Sequence, residues 1–178
     1  MNKKRIISYI TGLAAAVLLI VLDQVTKYLA VLKLKDQASF PIIKDVFELH
    51  YLENQGAAFG LLQGKKVFFL VVTVLFILVL CWFYGRLPLN RRFRPIRILS
   101  AFLLAGAVGN MIDRVVHNYV IDFFYFKLID FPIFNVADIY VTVSLAVLVI
   151  LIFLYYKDED FNAIFPEKKP ANKKSIVK

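Results

Sequence analysis

The chain has 178 residues, 60% of them hydrophobic, and a mean hydropathy of +0.69, where a soluble domain would be nearer half apolar. A water-soluble globular enzyme is thereby excluded, and the net charge of +9 is read as orientation signals and lipid contacts beside membrane spans, with no nucleic-acid partner. The single cysteine, Cys81, lies in an apolar run, so there is no intrachain disulfide framework and packing is its expected role.

Three basic residues open the chain, and the apolar run that follows is expected to be an uncleaved first span over about 8–32. Ala14, Ala15 and Ala16 resemble a cleavage site but lie in the middle of that run rather than after it. Segment 36–66 comes next. Over 46–54 the side chains alternate, with Phe47, Leu49 and Tyr51 on one face and Glu48 and His50 on the other, a short strand or hairpin pattern. Segment 56–62 (GAAFGLL) is too short to span and reads as a half-helix in the interface.

The second span, 67–84, has no charge and would cover roughly 27 Å as a helix, enough to cross a bilayer. The third covers about 98–112 and the fourth about 136–156. Residues 1–156 are expected to form one four-helix membrane domain, followed by a basic tail over 157–178, with the part after Phe165 disordered. Fourteen of the 22 basic residues fall before the first span, between the second and third, and after the fourth. This places both termini in the cytoplasm and segments 33–66 and 113–135 outside.

With that topology, the end of the first span, the end of the third and the start of the fourth meet in one leaflet. They bring Asp23 and Lys27, Asn110, Asp113 and Arg114, and Asn135 and Asp138 together, with Asn54 just above. Asp122 lies in a polar interruption between the third and fourth spans. Ionisable groups beside a span are costly, which makes Asp122 and Asp138, sixteen residues apart, the leading candidates for chemistry. Each residue has a structural alternative. Asp23 and Lys27 suit an ion pair, Arg114 suits snorkelling and pairing with Asp113, and Gly106 and Gly109 suit close helix packing. Asn135 and Asp138 suit a helix cap, while Lys127 and Asp130 suit a solvated loop. His50 and His117 lack metal-ligand spacing, so no metal or other cofactor is expected.

Five segments in order, DQVTK (23–27), NQGAAFG (54–60), GAVGNMIDR (106–114), VIDF (120–123) and FNVAD (134–138), resemble the motifs of the lipoprotein signal peptidases, or signal peptidase II. The resemblance implies an all-α polytopic membrane protein of the bacterial plasma membrane, with four transmembrane helices, a small extracytoplasmic β-cradle and an interfacial half-helix. It implies an aspartyl endopeptidase whose catalytic pair matches Asp122 and Asp138. Asn54, Asn110, Arg114 and Asn135 match residues that line the substrate site, and Asp23, Lys27, Gly106 and Gly109 take supporting places. The implied substrate is a diacylglyceryl prolipoprotein, cut just before its lipidated cysteine, and a monomer among membrane lipids is expected to suffice.

Two other classes compete. A proton-coupled carrier also uses paired membrane carboxylates, but its polar groups should continue across the bilayer, and the second span offers little beyond Thr73. An assembly scaffold would not require the two acids.

Overall fold

The computed structural model describes residues 3–56 and 62–166. Four helices in it are long and apolar enough to cross a membrane: α1 (Lys3–Leu34), α2 (Lys66–Arg86), α3 (Arg94–Val116, preceded by a 3-10 turn at Arg91–Phe93) and α4 (Val136–Leu154). Their outward faces carry bare aliphatic and aromatic side chains such as Leu18, Val67, Phe153 and Leu154. Such faces are stable only against lipid, and the protein is a multi-pass membrane protein. Cys81 lies on this exposed surface rather than within the packed interior, because its helix turns that face outward.

α3 is the central helix and packs against α1, α2 and α4. Small residues make this possible, since Ala101, Ala105, Gly106 and Gly109 are all buried. A methyl group added at Gly106 would stand 2.6 Å from the backbone oxygen of Ala137 and 2.6 Å from a Val141 methyl. The backbones of α3 and α4 therefore approach as closely as a hydrogen side chain permits.

At 32 residues α1 is about 48 Å long, more than the roughly 30 Å hydrocarbon core requires. Its last turns support a three-stranded antiparallel sheet, β1 (Phe40–Ile43), β2 (Phe47–Asn54) and β3 (Val120–Tyr125), in the order β1-β2-β3. Ala30 and Leu34 of α1 form a core with Ile121 and Phe123 of β3. The alternation over 46–54 is thus strand β2. β3 is a strand where the sequence suggested only a polar interruption. Its residues 120–123 are buried on both faces, so it lacks the alternation that marks a half-exposed strand. The half-helix expected over 56–62 falls on residues 57–61 and lies outside the described residues.

At the other end, α5 (Asp158–Ile164) folds back where the sequence suggested only a basic tail. Asp160 accepts two hydrogen bonds from Arg92, at 2.6 and 2.7 Å, and Ile164 packs with Leu87, Phe93 and Ile96. Three consecutive acids, Asp158, Glu159 and Asp160, fill the first turn of α5, where the positive helix end favours them. The disorder expected after Phe165 concerns 167–178, which lie outside the described residues.

The contact at Gly106 yields a direct check. Gly106→Ala should destabilise the protein by about 1–3 kcal/mol through overpacking against backbone, although the same change in a free helix stabilises. The thermal midpoint of the purified protein in detergent should fall accordingly.

Candidate active site

Asp122 and Asp138 come from different elements and line one cleft of about 420 Å³, together with Asn54, Asn110 and Arg114. Asp122 is in the middle of β3, opposite Leu52 of β2, which places Asn54 diagonally beside it on the neighbouring strand. Asn54 accepts the backbone N–H of Gly56 at 2.9 Å, a local turn that fixes its amide, and its Nδ2 donates to Asp122 Oδ2 at 2.8 Å.

Asn135 joins the two acids. It is the N-cap of α4, accepting from the backbone N–H of Asp138 at 3.0 Å, while Asp138 Oδ2 accepts from the backbone N–H of Asn135 at 3.1 Å. This reciprocal capping box fixes the Asp138 carboxyl at the positive end of α4. The Nδ2 of Asn135 donates to Asp122 Oδ1 at 2.6 Å and to Asn110 Oδ1 at 3.1 Å. β3 is held to this point by Phe134, whose backbone oxygen accepts from the N–H groups of Phe123 and Phe124, and whose N–H donates to Phe124.

Behind the acids lies a buried ionic cluster. Lys27, 1% exposed, places its ammonium 2.9 Å from Asp23, 2.9 Å from Asp113 and 2.9 Å from Asn110 Oδ1. Its three donors are thereby used, and Asn110 must turn its Nδ2 the other way, onto Asp138 Oδ1 at 2.8 Å. The opposite oxygen of Asp23 accepts the backbone N–H of Ala137 in α4 at 2.9 Å, and Asp113 accepts that of Ile121 in β3 at 3.1 Å. Gly109 fits here because a side-chain methyl would stand 2.5 Å from the Asp23 carboxylate.

Asp23 and Lys27 pair as expected, deep in the protein, with Asp113 from α3 completing the cluster. The reading of Arg114 needs correction. Arg114 does not pair with Asp113. Adjacent positions on a helix point apart, and its guanidinium lies 4.7 Å from the centre of the Phe69 ring and donates to the backbone oxygen of Gly56 at 3.3 Å. Lys127 and Asp130 are both exposed, in keeping with a solvated loop, and each has a partner there: Lys127 pairs with Glu48 at 2.7 Å and Asp130 accepts from the Tyr125 hydroxyl. Gln24, not singled out in the sequence, donates to both Asp23 and Asp113; its place within DQVTK was the available signal. Phe131, Pro132, Ile133 and Phe134 form a wall of the cleft that no spacing argument indicated.

Burial, followed by the charge of Asp138, raises the Asp122 carboxyl from the ordinary 3.8 to about 7, against the amide donors of Asn54 and Asn135 and the charge of Lys27. One acid of the pair therefore holds a proton close to neutral pH. A cleft with a neutral and an ionised carboxyl can supply an acid and a base to the same bound group.

The profile of the family described as Signal peptidase (SPase) II matches residues 15–154. A lipoprotein signal peptidase of Caldanaerobacter subterraneus subsp. tengcongensis is 48% identical over 128 residues, covering 71% of this chain and 85% of that protein. One of Brevibacillus brevis is 42% identical over 139 residues, covering 78% of this chain and 92% of that protein. Among solved structures, a bacterial membrane enzyme determined by the in meso method at 2.3 Å has a TM-score of 0.71 at 30% identity, covering 90% of this chain and 93% of that one. A second, at 1.9 Å, has a TM-score of 0.69 at 32% identity, covering 82% of this chain and 94% of that one. Matched in sequence from the first span through the fourth, and in fold across nine-tenths of its length, the chain belongs to the signal peptidase II family.

Proposed function

We propose that the protein removes signal peptides from diacylglyceryl prolipoproteins, cutting just before the lipidated cysteine with Asp122 and Asp138 as an aspartic dyad. The observation that carries this reading is the joint presence of the two carboxyls on one cleft, each hydrogen-bonded to Asn135. In the mechanism, the ionised member takes a proton from water as the water oxygen attacks the scissile carbonyl. The protonated member donates to the carbonyl oxygen, and the tetrahedral intermediate then collapses with proton transfer to the leaving amine. The pair titrates as a unit. Its starting state holds one proton and one negative charge between the two carboxyls, with burial and the charge of Asp138 raising Asp122 to about 7.

The other cleft residues suit substrate positioning. Asn54, Asn110 and Asn135 hold the carboxyls in register, leaving Arg114 at the cleft to bind the peptide backbone or polarise its carbonyl, with the second N–H of the Asn54 amide beside it. Asp23, Lys27, Gly106 and Gly109 act from behind by fixing α1, α3 and α4. The apolar wall at Phe131 and Ile133 and the outward-facing Ile139 and Val143 suit a substrate whose acyl chains stay in the bilayer. The distribution of basic residues supports a bacterial plasma-membrane protein with both termini cytoplasmic and the cleft at the outer face. Every residue in the mechanism comes from one chain, so a monomer is sufficient.

Two measurements test this. Asp122→Asn and Asp138→Asn should each insert normally yet lose at least about a hundredfold in cleavage of a diacylglyceryl prolipoprotein in detergent or liposomes; full activity in either would refute the dyad, and equal cutting of unlipidated substrate would refute the stated specificity. Activity should also fall as pH rises through about 7, because the raised carboxyl of Asp122 loses the required proton there. Asn54 donates to the charged form of Asp122, so Asn54→Ala should move that alkaline limb upward by about one pH unit in a cleavage pH profile.

A further inference from the structure

A second cavity, of about 530 Å³, lies between α1, the end of α2 and the start of α3, at the opposite end of the helical body from the carboxyls. Helical spacing brings Lys4, Ser8 and Thr11 of α1 to one side of it, and Arg94, Arg97 and Ala101 of α3 to the other. The cations sit at the first turns of the two helices, level with a membrane surface. Ala15, about 16 Å further along α1, belongs to an apolar floor. Ile7 and Ile98, each about half exposed, flank the opening toward lipid.

The cationic end is partly pre-formed. Arg97 donates to the backbone oxygens of Pro88 at 2.7 Å and Asn90 at 3.2 Å, which fixes its guanidinium while leaving other N–H groups. Among the described residues neither Arg94 nor Arg97 has a carboxylate partner, whereas nearby Arg92 is bound to Asp160, and no acid lines the cavity. The back is closed by Tyr84, whose hydroxyl donates to the backbone oxygen of Ser8 at 2.9 Å and stands where a side chain on Gly12 would otherwise be.

We propose that this cavity binds an anionic glycerophospholipid, with its phosphodiester at Arg94 and Arg97 and an acyl chain running along the floor toward Ala15. The polarity of the cavity matches that of such a lipid, charged at the surface and apolar one to three helical turns deeper. A zwitterionic headgroup would bring its ammonium beside Arg94 and Arg97, and no acid among the described residues lines the cavity to receive it, which sets the selectivity. The site is remote from the carboxyl pair, and the inference stands independently of the proposed peptidase mechanism.

The test uses the full-length protein, delipidated in neutral detergent, with lipid retention followed by native mass spectrometry. Phosphatidylglycerol should bind about tenfold more tightly than phosphatidylcholine, and an Arg94→Gln, Arg97→Gln variant should lose most of that preference. Arg86→Gln, whose guanidinium lies over Trp82 outside the cavity, should retain it. Equal retention of the two lipids by the unaltered protein would overturn the proposal without any variant, as would a preference that survives the double substitution. Displacement of phosphatidylglycerol by inorganic phosphate at matched concentration would also overturn it, by making this a free-phosphate site.

Discussion

One buried ammonium fixes the geometry on which the rest depends. Lys27 lies within 2.9 Å of Asp23, Asp113 and Asn110, and it is nearly inaccessible. Removing one partner of such a buried set typically costs roughly 3–5 kcal/mol, because the charge left behind has no water to replace the loss. The cluster is therefore weak evidence for stability as such but strong evidence for a defined arrangement. Through Lys27 itself α1 is joined to α3. Through its two acids it reaches a backbone N–H in α4, at Ala137, which the second oxygen of Asp23 accepts, and another in β3, at Ile121, which the Lys27-bound oxygen of Asp113 accepts. Those are the two elements that carry Asp138 and Asp122.

The same ammonium also sets the direction of the hydrogen bonds beyond it. An amide has one acceptor end and one donor end, and Lys27 can only donate. Asn110 must therefore turn its oxygen inward and its Nδ2 toward Asp138, and the inward oxygen also receives Asn135. Asn135, with its oxygen occupied by the α4 cap, has only its Nδ2 left for Asp122. Both carboxyls face donors as a consequence. Among the described residues no buried side-chain nitrogen or oxygen in the protein is left without a partner, which is the condition under which a polar network inside a membrane protein is tolerable.

The sequence made some of this legible and hid the rest for identifiable reasons. The four spans follow from uninterrupted apolar runs, and β2 follows from alternation at Phe47 through Asn54. β3 was missed as a strand because VIDFFY is covered on both sides, so one acid among apolar residues resembled a break. The capping box of Asn135 and Asp138 was visible from its three-residue spacing, and capping and a place in the cleft proved compatible: Asp138 uses one oxygen for each. The pairing of Asp113 with Lys27 rather than Arg114 was hidden because it joins residues far apart in the chain, while the adjacent charge invited a local reading. α5 was obscured by the lysines beyond it, although the acids at 158–160 carried a helix-start signal.

The location of the carboxyl pair follows from the same constraints. In the middle of a span every backbone N–H is already bound within its helix, so a carboxylate there would have only side chains for partners. At a helix N-terminus and along a strand edge, backbone donors are free, and this protein uses both: α4 offers its first turn to Asp138 and Asp23, and β3 offers Ile121 to Asp113. That supply exists only where α1 overshoots the bilayer far enough to support a sheet. A polar pair placed there remains accessible from the lipid side past Ile139 and Val143, yet it is dry enough that burial is the largest influence on Asp122. Shortening α1 would therefore affect more than the sheet. It would remove the support for β3, and with it the environment that keeps a proton on Asp122 near neutral pH.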